Sequence, residues 1–176
     1  MAAPMAAPMA APRRHLGTFF GAAAVVAVLD QLTKQWALSE LADAPIDLVG
    51  SLRLNLVFND RAAFSLGFGS TTAIALVGCT LVVVLVVMGV RAEQRAWALG
   101  LGIILGGALG NLADRAFRAG DGFLGGRVVD MVDLQWWPVF NLADVSLWVG
   151  IGVLLLASRR TPAEASSSTE PGPDGF

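Results

Sequence analysis

Asp130, in VVDMVD, and Asp144, in FNLAD, are two carboxylates fourteen residues apart, the first in a strand-like run and the second near the start of an apolar helix. Two carboxyl groups brought close together cannot both ionise, so they share a proton. One can then act as general base on a water while the other donates to a scissile carbonyl. That is the chemistry of aspartic hydrolysis. A carboxylate inside a membrane span costs roughly 2.5 to 3.5 kcal/mol on insertion scales, and such residues usually mark a pathway or a site. A structural alternative stands beside it: Asn141 and Asp144 occupy the first turns of their helix, where free N–H groups and the helix dipole favour a capping acid.

The other polar residues divide in the same way. Asp30 and Lys34 stand at i and i+4, the spacing of an ion pair that lets both charges lie near lipid. In GNLADR, Asn111, Asp114 and Arg115 either end a helix and hold a loop or meet a substrate carbonyl or phosphate. Lys34 with Ser65 or Ser146 would make a Ser-Lys hydrolase, provided that the lysine left its pairing with Asp30. His15 is the only histidine and Cys79 the only cysteine. His15 lies in the N-terminal tail and Cys79 in an apolar run, which removes Ser-His, Cys-His and HExxH chemistry, an internal disulfide and a thiolate metal cluster. Catalysis is left to carboxylates, lysine or hydroxyls, with no metal expected.

These side chains need elements to hold them, and the composition names the solvent. The 176 residues are 55% hydrophobic and 15% charged, too little charge to keep a soluble domain of this size dissolved. With a net charge of −2 and no basic run there is no footprint for nucleic acid. Four apolar stretches, about 17–36, 70–90, 95–114 and 139–157, have the roughly 20 residues that a bilayer core demands. Three of them reach that length only by including polar groups; Val145 to Ala157 alone would give a helix of roughly 20 Å. If the spans alternate in direction, the ends of the first and third and the start of the fourth emerge together. Asp30, Lys34, Asn111, Asp114, Arg115, Asn141 and Asp144 are thereby predicted to converge in one leaflet.

Lys and Arg divide six against six between the two sides, but those on the opposite side, Arg13, Arg14, Arg91, Arg95, Arg159 and Arg160, flank span ends with few acids among them. Both termini are therefore expected in the cytoplasm. Between the first two spans, SLRLNLVFN alternates with a period of two, predicting a strand with one apolar face made by Leu52, Leu54, Leu56 and Phe58. FLGGRVVDMV predicts a second strand after a Gly-Gly turn, and Asp130 would come from that piece. Trp136 and Trp137 before Pro138 suit an interfacial belt. Gly102, Gly106 and Gly110 repeat every fourth residue and predict close helix packing. Residues 1–16, beginning MAAPMAAPMAAP, and 158–176, rich in Ser, Pro and acids, are expected to be disordered tails on either side of a membrane domain at 17–157.

Five motifs in order, DQLTKQW (30–36), NDRAAFSL (59–66), GALGNLADR (107–115), VVDMVD (128–133) and FNLAD (140–144), resemble the lipoprotein signal peptidases, also called signal peptidase II. The resemblance spans about residues 17–157. It implies an all-α membrane protein with a small β element: a bundle of four transmembrane helices, an extracytoplasmic β-cradle and an extracytoplasmic helical segment. It implies an aspartic endopeptidase of the bacterial cytoplasmic membrane that cuts prolipoproteins just before a diacylglyceryl-modified cysteine, in contact with membrane lipids and without a cofactor. Asp130 and Asp144 match its catalytic aspartates. Asn59, Asn111, Arg115 and Asn141 match substrate-binding positions, with Asp30, Lys34 and Asp114 supporting them. The chain departs at Arg61, where the pattern usually has Gly, and in a long 116–126 segment. A proton-coupled transporter using the membrane aspartates is the main rival, weakened by four short spans without an internal repeat. A noncatalytic assembly subunit would explain the glycines but not Asp130 and Asp144.

Overall fold

Glycine decides which helix occupies the middle. In the computed structural model, which describes residues 14–59, 71–119 and 124–159, four helices run in the order α1 (Leu16–Glu40), α2 (Thr71–Arg91), α3 (Arg95–Phe117) and α4 (Leu142–Arg159). All four are long and apolar enough to cross a membrane. Helix α3 packs on the other three, and half of its residues are buried against about a fifth in the others. A Cβ on Gly106 would lie 2.6 Å from the Ala23 carbonyl oxygen, and Cβ atoms on Gly102 and Gly110 would meet the Phe19 carbonyl and the Asp30 carboxylate. The four-residue glycine row therefore lies against α1, as its spacing predicts, and lets the two backbones approach until side chains of one touch the helix of the other. Phe19, Ala23, Leu101, Ile104 and Leu105 form the apolar core around this contact. Most large apolar residues on the outer faces of α1, α2 and α4 are exposed, among them Val28, Leu32, Val77, Val83, Trp148 and Leu155, as suits helices whose solvent is lipid.

The helix bounds depart from the sequence-based spans at the polar ends. Helix α1 runs on to Glu40 because Ala37 and Leu41 are buried against the sheet with Val129 and Met131. Helix α4 starts at Leu142 rather than at 139, because Phe140 is extended: its N–H donates to the Val132 carbonyl at 3.0 Å and its own carbonyl accepts from the Val132 N–H at 2.9 Å. A residue that bridges to a strand cannot also open a helix.

Strands β1 (Ile46–Val49), β2 (Leu52–Asn59) and β3 (Val128–Asp133) form one antiparallel sheet in that order. Gly50, with φ of 58°, makes the turn between β1 and β2 in a conformation that suits glycine. The single apolar face expected of residues 51–59 is not kept along the strand. Leu54 pairs with Val132 and Val57 with Asp130, so Asn55 and Leu56 stand opposite Met131 alone. This bulge exchanges the two faces, because one extra residue turns every later side chain over. Its consequence is a change of face: Asn59, which unbroken alternation would place on the face of Arg53, lands on the face of Asp130. Of the expected tails, Leu16 already belongs to α1 and Ser158 and Arg159 still belong to α4; residues 1–13 and 160–176, residues 60–70 with Arg61 and Ser65, and residues 120–123 of the long segment lie outside the described residues.

Candidate active site

One end of the bundle holds a buried polar network centred on Lys34. Its ammonium lies 2.8 Å from Asp30 Oδ2, 2.9 Å from Asp114 Oδ2 and 2.8 Å from Asn111 Oδ1. Lys34, Asp30 and Asp114 have no more than 1% of their surface exposed, so each charge depends on these partners, since an ion stripped of water must be paired to be tolerated. Gln31 adds hydrogen bonds from its amide to the Gly110 carbonyl at 3.0 Å and to Asp114 Oδ1 at 3.2 Å. Arg118 Nε also reaches Asp114 Oδ1, at 2.6 Å. The ammonium has three hydrogens and three acceptors, so Lys34 holds no lone pair for a serine. Ser146 donates instead to the Ala143 carbonyl at 2.7 Å. The Ser-Lys arrangement therefore finds no support here, and Ser65 lies outside the described residues.

Asp130 and Asp144 arrive from the sheet and from α4, and Asn141 joins them. The Asn141 side-chain amide donates to Asp130 Oδ1 at 2.6 Å, and its backbone N–H donates to Asp144 Oδ2 at 3.2 Å. In return the Asp144 N–H donates to Asn141 Oδ1 at 3.1 Å. This reciprocal pair is a capping box with Asn and Asp in its two places. The capping role weighed for Asp144 is therefore real, and it coexists with a place beside Asp130. Asn111 completes the join: its Oδ1 accepts from Asn141 Nδ2 at 3.2 Å and its Nδ2 points at Asp144 Oδ1 at 3.4 Å. Asp130 is 2% exposed, while Asp144 is half-buried.

Asp130 and Asp133 lie three residues apart on one strand and face opposite ways, with different fates. Asp133 accepts from the Gln135 N–H at 2.7 Å and pairs with Arg53 at 2.7 Å, which together hold its carboxyl below the usual range. Asp130 faces inward, where burial pushes its pKa up from 3.8 to about 6, against the Asn59 hydrogen bond and with the help of the Asp144 charge. Asn59 Nδ2 donates to Asp130 Oδ2 at 2.9 Å. A carboxyl group that gains or loses its proton near neutrality is suited to acid-base work; a paired one is not.

The structure thus brings Asp30, Lys34, Asn59, Asn111, Asp114, Asp130, Asn141 and Asp144 together at one end of the bundle. Arg115 is buried at the end of α3, where its carbonyl accepts from the Gly126 N–H at 3.0 Å. Gln31 and Arg118 were missed in the sequence. Gln31 stands within DQLTKQW on the helix face of Asp30 and Lys34, and Arg118 stands at i+4 from Asp114, a spacing that could have found it. Among the described residues no group of three or more His, Cys, Asp or Glu side chains is placed to hold a metal ion.

Four helices able to span a bilayer, tied at one end by a buried acid-rich network under a small sheet, define a multi-pass membrane protein with an enclosed polar site. The family model for Signal peptidase (SPase) II matches residues 22–160, and the chain belongs to that family of peptidases. It is 46% identical over 147 residues to the lipoprotein signal peptidase of Mycolicibacterium smegmatis, covering 82% of this chain and 62% of that protein. It is also 46% identical over 145 residues to the lipoprotein signal peptidase of Mycobacterium tuberculosis, covering 81% of this chain and 71% of the relative. The chain thus spans somewhat less than two thirds of the first relative's length. Two solved structures of a bacterial membrane enzyme share the fold, with TM-scores of 0.72 and 0.68 at 24% identity, covering 91% and 86% of this chain and 98% of each of theirs. Membership of a peptidase family does not favour the transporter reading.

Proposed function

We propose that this chain is an aspartic endopeptidase that removes the signal peptide from diacylglyceryl-modified prolipoproteins, cutting just before the lipidated cysteine, with Asp130 and Asp144 as the catalytic pair. The observation that carries the proposal is Asn141, whose side chain holds one carboxylate and whose backbone N–H holds the other. One carboxylate takes a proton from water as the water oxygen bonds to the scissile carbonyl carbon, and the other gives its proton to the carbonyl oxygen. The tetrahedral adduct then collapses: the C–N bond breaks, the cysteine nitrogen takes up a proton, and the dyad returns to its singly protonated state. Asn59 and Asn111, which touch the dyad, and Arg115 at the end of α3 are assigned to holding substrate backbone around the cut.

The enzyme lies in the cytoplasmic membrane with both termini inside and its site toward the outer leaflet. Arg91 and Arg95 support that orientation: they flank the short turn between α2 and α3 at the end of the bundle away from the site. A lipid-anchored signal helix moves sideways within the bilayer, so a site at the membrane boundary meets the bond to be cut without extracting the substrate. The test is mass spectrometry of products from a diacylglyceryl-modified prolipoprotein and from its unmodified form, each incubated with purified protein in detergent. The expected result is a product beginning at the lipidated cysteine from the modified form only. Cleavage at another bond, or equal cleavage of both forms, overturns the substrate assignment.

A further inference from the structure

Asp30 and Asp114 each do two things at once. Asp30 Oδ2 meets the Lys34 ammonium at 2.8 Å, while its Oδ1 accepts from the Ala143 N–H at 3.0 Å. Asp114 Oδ2 meets the same ammonium at 2.9 Å and also accepts from the Val129 N–H at 3.1 Å. Ala143 and Val129 are the residues immediately before Asp144 and Asp130. One buried ammonium therefore connects the two carboxylates that hold the backbone directly upstream of each member of the dyad.

We infer that Lys34 is a positioning residue which, through Asp30 and Asp114, sets the separation and orientation of Asp130 and Asp144. The inference rests on the dyad reading above and goes beyond it. A surface strand and a membrane helix carry the dyad; they meet directly through the Val132–Phe140 bridge and Asn141, and α1 is tied to both as well through this cluster. The third hydrogen of Lys34 lies on Asn111 Oδ1 at 2.8 Å, which turns the Asn111 amide nitrogen toward Asp144. Every point of the clamp is thus specified: three acceptors around one ammonium, two of them holding a backbone amide and the third addressing the dyad directly. Charge alone does not explain this arrangement, because Arg118 already supplies a second cation to Asp114.

Lys34→Arg tests the geometry while keeping the charge. The guanidinium is a planar fork, and it cannot aim donors at Asp30, Asp114 and Asn111 from the point where the ammonium sits. Hydrogen exchange of purified protein is expected to show the Val129 and Ala143 amides opening at least tenfold faster in this variant, both together, while amides in α2 are unchanged. In parallel, kcat should fall about tenfold to a hundredfold with KM within twofold. The gap between the two limbs of the kcat/KM pH profile should narrow, since carboxylates that drift apart couple less; the charged groups that act on them are Lys34 and Asp30 on α1, with Asp114 on α3 tied to the same ammonium. A merely structural lysine would lower the folded fraction without moving the limbs. Asp30→Asn provides a second variant: an amide has one acceptor oxygen, so it can hold Lys34 or the Ala143 N–H but not both, and the Ala143 amide alone should loosen. A folded Lys34→Arg protein with wild-type kcat, or with only one of the two amides loosened, overturns the inference. Should Lys34→Arg not fold, an unloosened Ala143 amide in Asp30→Asn does the same. Failure of the dyad reading is distinct, because it would show as activity surviving in Asp130→Asn or Asp144→Asn.

Discussion

At the scale of single residues, the raised pKa of Asp130 ties stability and catalysis to pH in opposite senses. Burial moves it from 3.8 to about 6, so between those values the folded protein keeps a proton that the unfolded chain has lost. The contribution of Asp130 to stability is therefore most favourable at low pH, declines as pH rises through that window, and stays unfavourable above it, by on the order of 3 kcal/mol. Thermal unfolding in detergent should show wild type losing ground to Asp130→Asn between pH 5 and pH 7.5; a gap that is constant with pH contradicts this. Asn59 provides a second handle. Its amide donates to Asp130 Oδ2 and favours the ionised form, so Asn59→Ala should let Asp130 hold its proton to higher pH. The alkaline limb of kcat/KM should then move upward by roughly one unit, the amount that a hydrogen bond to a charged group is worth. A limb that stays in place or moves down would mean that Asn59 does not act on Asp130.

At the scale of elements, tight glycine contacts make α3 intolerant in some places and indifferent in others. Gly106→Val should separate α1 from α3, because its Cβ would stand 2.6 Å from the Ala23 carbonyl oxygen and 2.6 Å from Val26 Cβ. A loss of about 3 kcal/mol or more, or no folded protein, is expected. Gly152→Ala, whose Cβ meets nothing within 4 Å, should leave the melting temperature unchanged or raise it slightly, since alanine favours helix. Equal effects of the two substitutions would remove the packing argument. The helices and the convergence of their polar ends were legible in the sequence because a bilayer fixes span length and alternation fixes which ends meet. The sheet was legible only as a pair of strand-like runs. The bulge at Asn55 and Leu56 left no mark in the alternation, because nothing in LRLNLVFN says which residue stays unpaired; the partner strand decides it. The start of α4 was misplaced for a similar reason: Phe140 is drawn into a bridge with Val132, a pairing that the apolar pattern of the helix does not show. Asn141 stands in FNLAD, yet its double hold on Asp130 and Asp144 is visible only in three dimensions.

At the scale of the whole molecule, a bundle with its charged network at one end commits to an orientation. In a Cys79→Ser background, which removes the only cysteine, a cysteine placed at Ser51 in the β1–β2 turn should react with a membrane-impermeant maleimide added to intact cells. A cysteine at Glu93, in the turn between α2 and α3, should react only after the membrane is opened. The reverse pattern would invert the chain and place the site toward the cytoplasm. Orientation matters because the proposed substrate, a lipidated precursor, would present its cut site at one surface. The proposed chemical step has a strand and a membrane helix deliver two carboxylates to the same water. The most direct measurement is the single-turnover rate of cleavage of a diacylglyceryl-modified prolipoprotein by wild type, Asp130→Asn and Asp144→Asn, each shown by circular dichroism to be folded. Each substitution is expected to slow cleavage by roughly 10³-fold or more, since each removes one half of a shared-proton pair. A folded variant of either kind that cleaves within tenfold of wild type would contradict it.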